Sequence, residues 1–318
     1  MYTFTKQVVA VIGATGQVGT PLTKHLLTLG HEVKCFSRRE SDEKLKDFRS
    51  RGAEIILMPA AVQSDDTLNN GDVEKMAKHL EGVDILICAV PGSKEIITIS
   101  EPIWLKAAVK AGVKRFVPTE FGGHSRNIDV GDCVLFDHKK ELHEQIFASG
   151  IGWTFFYTGG IFDYHLPNLR FFDKITSFGD IDLPIFTHEI EDIAEIAAMA
   201  LTDPRTLNKC VQMDYNFLSQ KEMLEKLKEN FPDYPFEYEH FSTEFITEAK
   251  NTAADEIPAK KGNETDPERW GINYLIYVAG KMAAFTDETV RTTELYPKYE
   301  CAAKPEKALA DKTFVFEK

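Results

Sequence analysis

The sequence predicts an α/β protein built on a doubly wound parallel sheet, and three observations carry that prediction. Val8 to Ile12 is a short, continuous, β-branched apolar run that breaks directly into glycines. Runs of the same kind then alternate along the chain with segments whose apolar residues recur at helical spacing. The runs are continuous rather than alternating apolar and polar, as strands buried on both faces require. Strands separated by single helices specify βαβ units, and right-handed crossovers wind them into one sheet.

The elements follow in order. Val8–Ile12 reads as the first strand, and Pro21–Thr28 as a helix with Leu22, Leu26 and Leu27 on one side. "HEVKCFSRR" is a second strand, "SDEKLKDFRSRG" a helix ending at Gly52, and "AEIILMP" a third strand. "GDVEKMAKHLEG" and "VDILICAV" form the next helix and strand, and "PIWLKAAVKAG" and "VKRFVPT" the pair after that. A helix over about Phe136–Ala148 leads into the strand "GWTFFYT". After Gly159 the rhythm weakens, although "EIEDIAEIAAMALTD" is amphipathic and "CVQMD" reads as a buried strand. From Asn216 the chain carries helical stretches, aromatics and a charged segment, Asp255 to Glu268. Residues 1–158 plus about 185–214 are therefore expected to form the dinucleotide-binding sheet domain. About 159–184 plus 215–318 are expected to form a smaller, mostly helical substrate lobe interleaved with it.

The 318 residues suffice for one large domain or two moderate ones. A net charge of -13 argues against binding nucleic acid through its phosphates and against attraction to anionic membranes. No apolar run approaches the roughly 20 residues of a membrane span. "MYTFTKQ" is too short and polar for a signal peptide. Cys35, Cys88, Cys133, Cys210 and Cys301 are scattered without a CxxC pair. A reduced cytoplasmic setting and no metal site are the expectation. Oligomeric state stays open, a homodimer included.

Gly13, Gly16 and Gly19 form G-x-x-G-x-x-G between a strand and a helix. One glycine allows the tight turn, one lets backbone approach a pyrophosphate, and one lets helix and strand pack closely. The helix N-terminus then offers free N–H groups and the positive end of its dipole to phosphate. This context marks a dinucleotide (Rossmann) turn, with Thr15, Gln17 and Val18 as further cofactor contacts. An NAD site places a carboxylate at the end of the second strand, where this chain reads Phe36-Ser37-Arg38-Arg39. Arginine pairs with a 2′-phosphate and stacks on adenine, so NADP(H) is preferred, with Arg38 ahead of Arg39. Glu40 keeps dual specificity open, and Lys44 and Lys46 are weaker phosphate candidates.

Several stretches together resemble one family. "KRFVPTEFG" (Lys114 to Gly122) is similar to the K-R-F-x-P-S-E-F-G signature of isoflavone reductase-like proteins. These include the phenylcoumaran benzylic ether, pinoresinol-lariciresinol and eugenol-forming reductases, within the NmrA-like atypical short-chain dehydrogenases. "DPRTLNK" (Asp203 to Lys209), "SQKEML" and "ELYPKY" are similar to further family segments. The family's catalytic lysine lies in a helix reading F-E-V-K-A-K-V-R. Aligned without gaps into Gly150-Ile151 and the strand holding Thr154, Phe136-Asp137-His138-Lys139 matches it, and Lys140 does not. Four residues before Lys139 stands Leu135, so the tyrosine of ordinary short-chain dehydrogenases is absent, as in the family.

The resemblance implies that Lys139 is catalytic and touches the cofactor, assisting a phenol or enone oxygen while NADPH delivers hydride to carbon. The competing view, from residue type alone, is a solvated surface lysine. Thr119 and Glu120 sit just past a strand's C-terminal end, the edge at which open α/β sheets bind ligands. Thr119 and Tyr157 are expected at the cofactor; Glu120, Phe121, Phe162, Tyr164 and His165 are expected at the substrate. Glu120 has an alternative role as a loop anchor, and the aromatics one in packing the lobes together. His138 and His143 flank Lys139 without metal-ligand spacing, and His143 shares its face one turn on. The family's S-S-N-C-F-A-G-Y is replaced by Tyr157-Thr158-Gly159-Gly160-Ile161-Phe162-Asp163-Tyr164, which opens space or alters the backbone path there.

The expected function is an NADPH-dependent reductase of a small aromatic or conjugated molecule, of phenylpropanoid, isoflavonoid or polyketide-like type. The alternative is a non-catalytic NmrA-like NADP sensor, which has no need of a lysine at position 139. Isomerisation and quinone reduction stay open as uses of the same hydride chemistry.

Overall fold

The computed structural model describes residues 5–38, 43–57, 70–170, 172–252, 267–283, 285–286 and 288–317. Arg39, Glu40 and the charged stretch from Asp255 to Asp266 lie outside the described residues.

Eight parallel strands form the main sheet: β1 (Val8–Ile12), β2 (Glu32–Ser37), β3 (Glu54–Leu57), β4 (Ile85–Cys88), β5 (Arg115–Val117), β6 (Gly152–Tyr157), β10 (Lys209–Gln212) and β13 (Val290–Arg291). Their spatial order is β13-β10-β6-β5-β4-β1-β2-β3. The order reverses between β1 and β4, the switch point at which a doubly wound sheet opens a crevice for ligand. Alternation along β1 explains the two covering layers. Ala10 and Ile12 pack with Leu86, Trp104 and Ile146 on one face; Val9 and Val11 pack with Leu22, Leu26 and Ile193 on the other.

The first layer holds α3 (Asn70–His79), α4 (Glu101–Ala111) and α5 (Val134–Ser149); the second holds α1 (Gly19–Thr28), α2 (Glu43–Ser50) and α7 (Ile190–Thr202). Gly112 and Gly150 end α4 and α5 in left-handed backbone, the usual stop for a helix that must turn at once into a strand. A π-helical turn, Ile96–Ser100, runs into α4 and leaves Glu101 buried at the helix start.

A second lobe covers the carboxyl edge. Its core joins Phe162, Phe178, Trp270 and Tyr277. It contains α6 (Phe162–His165), α8 (Gln220–Asn230), α9 (Thr243–Asn251) and α10 (Pro267–Tyr277). It also contains the pair β8 (Ile175–Phe178) and β12 (Tyr238–Phe241), and a small sheet of β7 (Gly160–Ile161), β9 (Pro184–His188) and β11 (Phe217–Ser219). Two segments cross the expected lobe boundaries. β9 joins this small sheet rather than the main one. Conversely β13 adds an edge to the main sheet, and Tyr296 packs in the α1–α7 layer with its Oη donating to Asp203 Oδ2 at 3.1 Å. A two-residue strand is too short to leave a periodic signal in sequence.

Candidate active site

The glycine turn is shaped by contacts within the fold. Gly13 has φ +82°, and a Cβ there would stand 2.3 Å from the Ala89 carbonyl oxygen. A Cβ on Gly19 would lie 2.0 Å from the Gly13 carbonyl oxygen, so the helix starts this close to the turn only without a side chain. The first turn of α1 holds no acidic residue and no side-chain cap, and Gly16, Gln17 and Val18 line the adjoining cavity. This donor set fits a pyrophosphate. Lys44 donates to the Thr15 carbonyl at 2.8 Å and so ties α2 to the turn. Arg38 is exposed directly after β2, at the position where a 2′-phosphate would be met.

From this turn one cavity of about 430 Å³ runs along the sheet edge into the second lobe. Its floor is Val90, Gly92, Thr119 and Lys139; its far wall is Phe136, Ile272, Leu275 and Met282. A Cβ on Gly92 would come within 3.9 Å of both the Lys139 stem and Thr119, so its absence widens the space over the lysine.

Lys139 is buried, only 7% exposed, which excludes the solvated-surface reading. Its Nζ donates to Glu120 Oε2 at 3.1 Å and to the Glu120 main-chain oxygen at 3.3 Å. The other carboxylate oxygen of Glu120 takes His143 Nε2 at 2.6 Å. His143 is stacked on Phe155 with centroids 3.9 Å apart. Burial pushes the Glu120 carboxyl up, but Lys139 and His143 outweigh it and hold it at about 2. Burial keeps His143 below its usual value and therefore neutral.

A second carboxyl stands behind these groups. Glu101 accepts the Thr119 N–H at 2.7 Å. Burial, against the opposing pull of Thr119 and Lys139, raises Glu101 to about 8, so it is mainly protonated near neutral pH. The site therefore combines a neutral Glu101 with an ionised Lys139–Glu120 pair. Nothing in the sequence separated Glu101 from an ordinary first-turn acid preceding Pro102; only burial distinguishes it.

The other expected residues divide clearly. Thr119 lines the cavity, but its Oγ1 is engaged with the Val90 carbonyl at 2.5 Å. Phe121 and His165 line it as well. Tyr164 lies at its rim, where its Oη donates to Gln17 Oε1 at 2.9 Å, and Gln17 Nε2 reaches Asp163 Oδ2 at 3.3 Å. These contacts bridge the glycine turn to α6. Gly159 and Gly160 make room for this arrangement: a Cβ on Gly160 would stand 2.7 Å from the His165 ring.

Two expectations are corrected. Tyr157 is fully buried beneath the sheet, with its Oη 3.0 Å from Ser125 Oγ and its ring 4.2 Å from that of His124, and it does not line the cavity. Strand alternation turns its ring into the α3–α5 layer. Phe162 packs into the core of the second lobe with Leu166 and Phe178, away from the cavity wall. The far wall from α10 and Met282 went unread, because its residues are apolar and look like any helix core.

A doubly wound sheet with a glycine-rich first turn, a buried lysine at its carboxyl edge and no tyrosine partner on the lysine's helix defines an atypical short-chain oxidoreductase. The chain belongs to the NmrA-like family, which matches residues 5–302. It is 28% identical over 314 residues to a bifunctional pinoresinol-lariciresinol reductase of Thuja plicata, covering 91% of this chain and 93% of that one. It is 29% identical over 315 residues to an isoflavone reductase homolog of Nicotiana tabacum, with 92% and 94% covered. Among solved structures it is similar to AtPrR2 with NADP+ and (+)pinoresinol, with TM-score 0.75, 25% identity, and 98% of this chain and 99% of that one covered. An isoflavone reductase structure shares the fold at TM-score 0.79 and 21% identity, over 98% of this chain and 100% of that one. Among the described residues no helix is long and apolar enough to cross a membrane.

Proposed function

We propose that this protein is an NADPH-dependent reductase of a small aromatic or conjugated molecule, with Lys139 meeting the substrate oxygen. One observation carries the reading: a single apolar cavity is lined at one end by Gly16–Val18 of the phosphate turn and at the other by Phe136, Ile272 and Met282, with Lys139 between them. Bound NADPH supplies hydride there. The chain's own residues do the rest. Gly16 to Val18 and the start of α1 hold the pyrophosphate, and Arg38 meets the 2′-phosphate. The apolar wall excludes water and accepts a flat ring. Lys139 donates a hydrogen bond to an oxygen that gains negative charge, which is worth most in a site of low polarity. The relatives named above that act on phenylpropanoid and flavonoid compounds support this substrate class.

NADPH oxidation measured against phenolic, enone and quinone substrates, beside Lys139→Ala, tests the reading. Loss of turnover by about 100-fold or more, well beyond any loss of NADP+ affinity, is the expected outcome. Unchanged turnover in the variant would remove Lys139 from the chemistry. Tight NADP+ binding without turnover of any substrate would favour a sensor.

A further inference from the structure

We propose that Glu120 is a positioning residue, which holds Lys139 as a charged hydrogen-bond donor at one point on the cavity wall while His143 fixes the Glu120 carboxylate. The inference rests on the reading that Lys139 meets the reacting oxygen. A lysine carries its charge on a flexible four-carbon stem and has three N–H bonds to place. Two of them find acceptors on one residue, Glu120, through its carboxylate and its main-chain oxygen. One N–H is left for a ligand in the cavity that Lys139 lines.

Glu120 is itself immobilised. The preceding residue is tied twice, by Thr119 N–H to Glu101 and by Thr119 Oγ1 to the Val90 carbonyl. The carboxylate then receives His143 Nε2, on a ring stacked against Phe155. His143 Nδ1 is buried with no hydrogen-bond partner. The proton of the neutral ring is therefore set on Nε2, where the carboxylate needs a donor.

The groups facing this pair leave Glu120 as the counter-charge. Glu101 from α4 is protonated, and burial keeps Cys88, Tyr157 and His124 neutral. Arg126 is engaged with Glu144 at the surface. Without the Glu120 carboxylate, desolvation acts on Lys139 unopposed and favours its neutral form. Lys139 thus meets the substrate with two of its N–H bonds fixed on Glu120.

Acetic anhydride, which acylates neutral amines, reads the charge without any substrate. Labelling of Lys139 is followed by peptide mass spectrometry near neutral pH. Glu120→Gln is expected to raise its rate about tenfold over wild type, and Glu101→Gln, which replaces one neutral group by another, to leave it unchanged. A Glu120→Gln rate within about twofold of wild type overturns the proposal, as does an equal rise in Glu101→Gln. If Glu120→Gln unfolds, all lysines accelerate together. His143→Phe then decides, because it removes the hydrogen bond to Glu120 and retains an aromatic ring beside Phe155: a faster Lys139 with the other lysines unchanged supports the clamp, and an unchanged Lys139 overturns it. A clamp that passes while Lys139→Ala keeps full turnover would sink the reading of Lys139 at the reaction centre, and the inference with it. With a turnover substrate in hand, Glu120→Gln is expected to move the alkaline limb of the rate profile to lower pH and to lower kcat more than it changes KM.

Discussion

At Gly19 and Gly30 the same substitution is expected to have different costs for different physical reasons. Gly30 has φ +86° with nothing within 4 Å of a new Cβ, so Gly30→Ala meets only backbone strain and is expected to cost about 1 kcal/mol. Gly19→Ala sets a Cβ against the Gly13 carbonyl at 2.0 Å and is expected to cost about 3 kcal/mol. Urea denaturation of the two variants measures the difference, and NADP+ affinity is expected to fall only in Gly19→Ala. The glycine spacing was legible because a tight turn admits few residue types. Lys139 was legible through its matching helix. Glu101, His143 Nδ1 and the Gly160–His165 contact were not, since burial and tautomer arise only when distant segments meet.

Among the elements, α8 shows how local sequence acts independently of the site. Ser219 caps its N-terminus and Glu222 reaches back to the Ser219 N–H, completing a capping box. Ser219→Ala is expected to cost about 1 kcal/mol in urea denaturation while leaving NADP+ affinity unchanged. A matched loss of cofactor binding would mean that α8 supports the cavity as well as itself. The alternation of apolar runs with amphipathic segments placed the main helices and strands to within a few residues. It failed at β7, β9, β11 and β13, which lie after Gly159, where the regular alternation of strand and helix breaks down. It also could not assign Tyr157 a direction, because a strand buried on both faces is apolar on both.

Across the whole molecule, buried ionisable groups shape stability against pH. His124 and His188 are pushed by burial to about 4 from 6.5. Between those values the unfolded chain binds more protons, so their stabilisation is complete above pH 6.5 and lost as pH falls toward 4. Glu120, at about 2 against 4.5, adds a loss at still lower pH. Glu101 acts oppositely: raised from 4.5 to about 8, it binds its proton more tightly when folded, so stability falls as pH rises through that window. Two histidines outweigh one carboxyl below pH 6.5, and the carboxyl prevails above it. Denaturation midpoints are expected to peak near pH 6.5, and Glu101→Gln is expected to flatten the decline toward pH 8. An unchanged alkaline limb in that variant would place the cause elsewhere.

The sequence by itself determined the doubly wound sheet, the phosphate turn and the preference for NADP, and only the resemblance to isoflavone reductase-like proteins marked Lys139 on its helix. The first three depend on short-range constraints: strand and helix periodicity, the few residues a tight turn accepts, and charge at a strand's end. Tertiary structure alone decided that Lys139 is buried and paired with Glu120, that Tyr157 belongs to the core, and that α10 and Met282 wall the cavity. The setting of a lysine depends on what excludes water from it and what lies within hydrogen-bond reach of its nitrogen, which for Lys139 is Glu120 at 3.1 Å. Here those neighbours come from a loop, a helix and a lobe far apart in the chain.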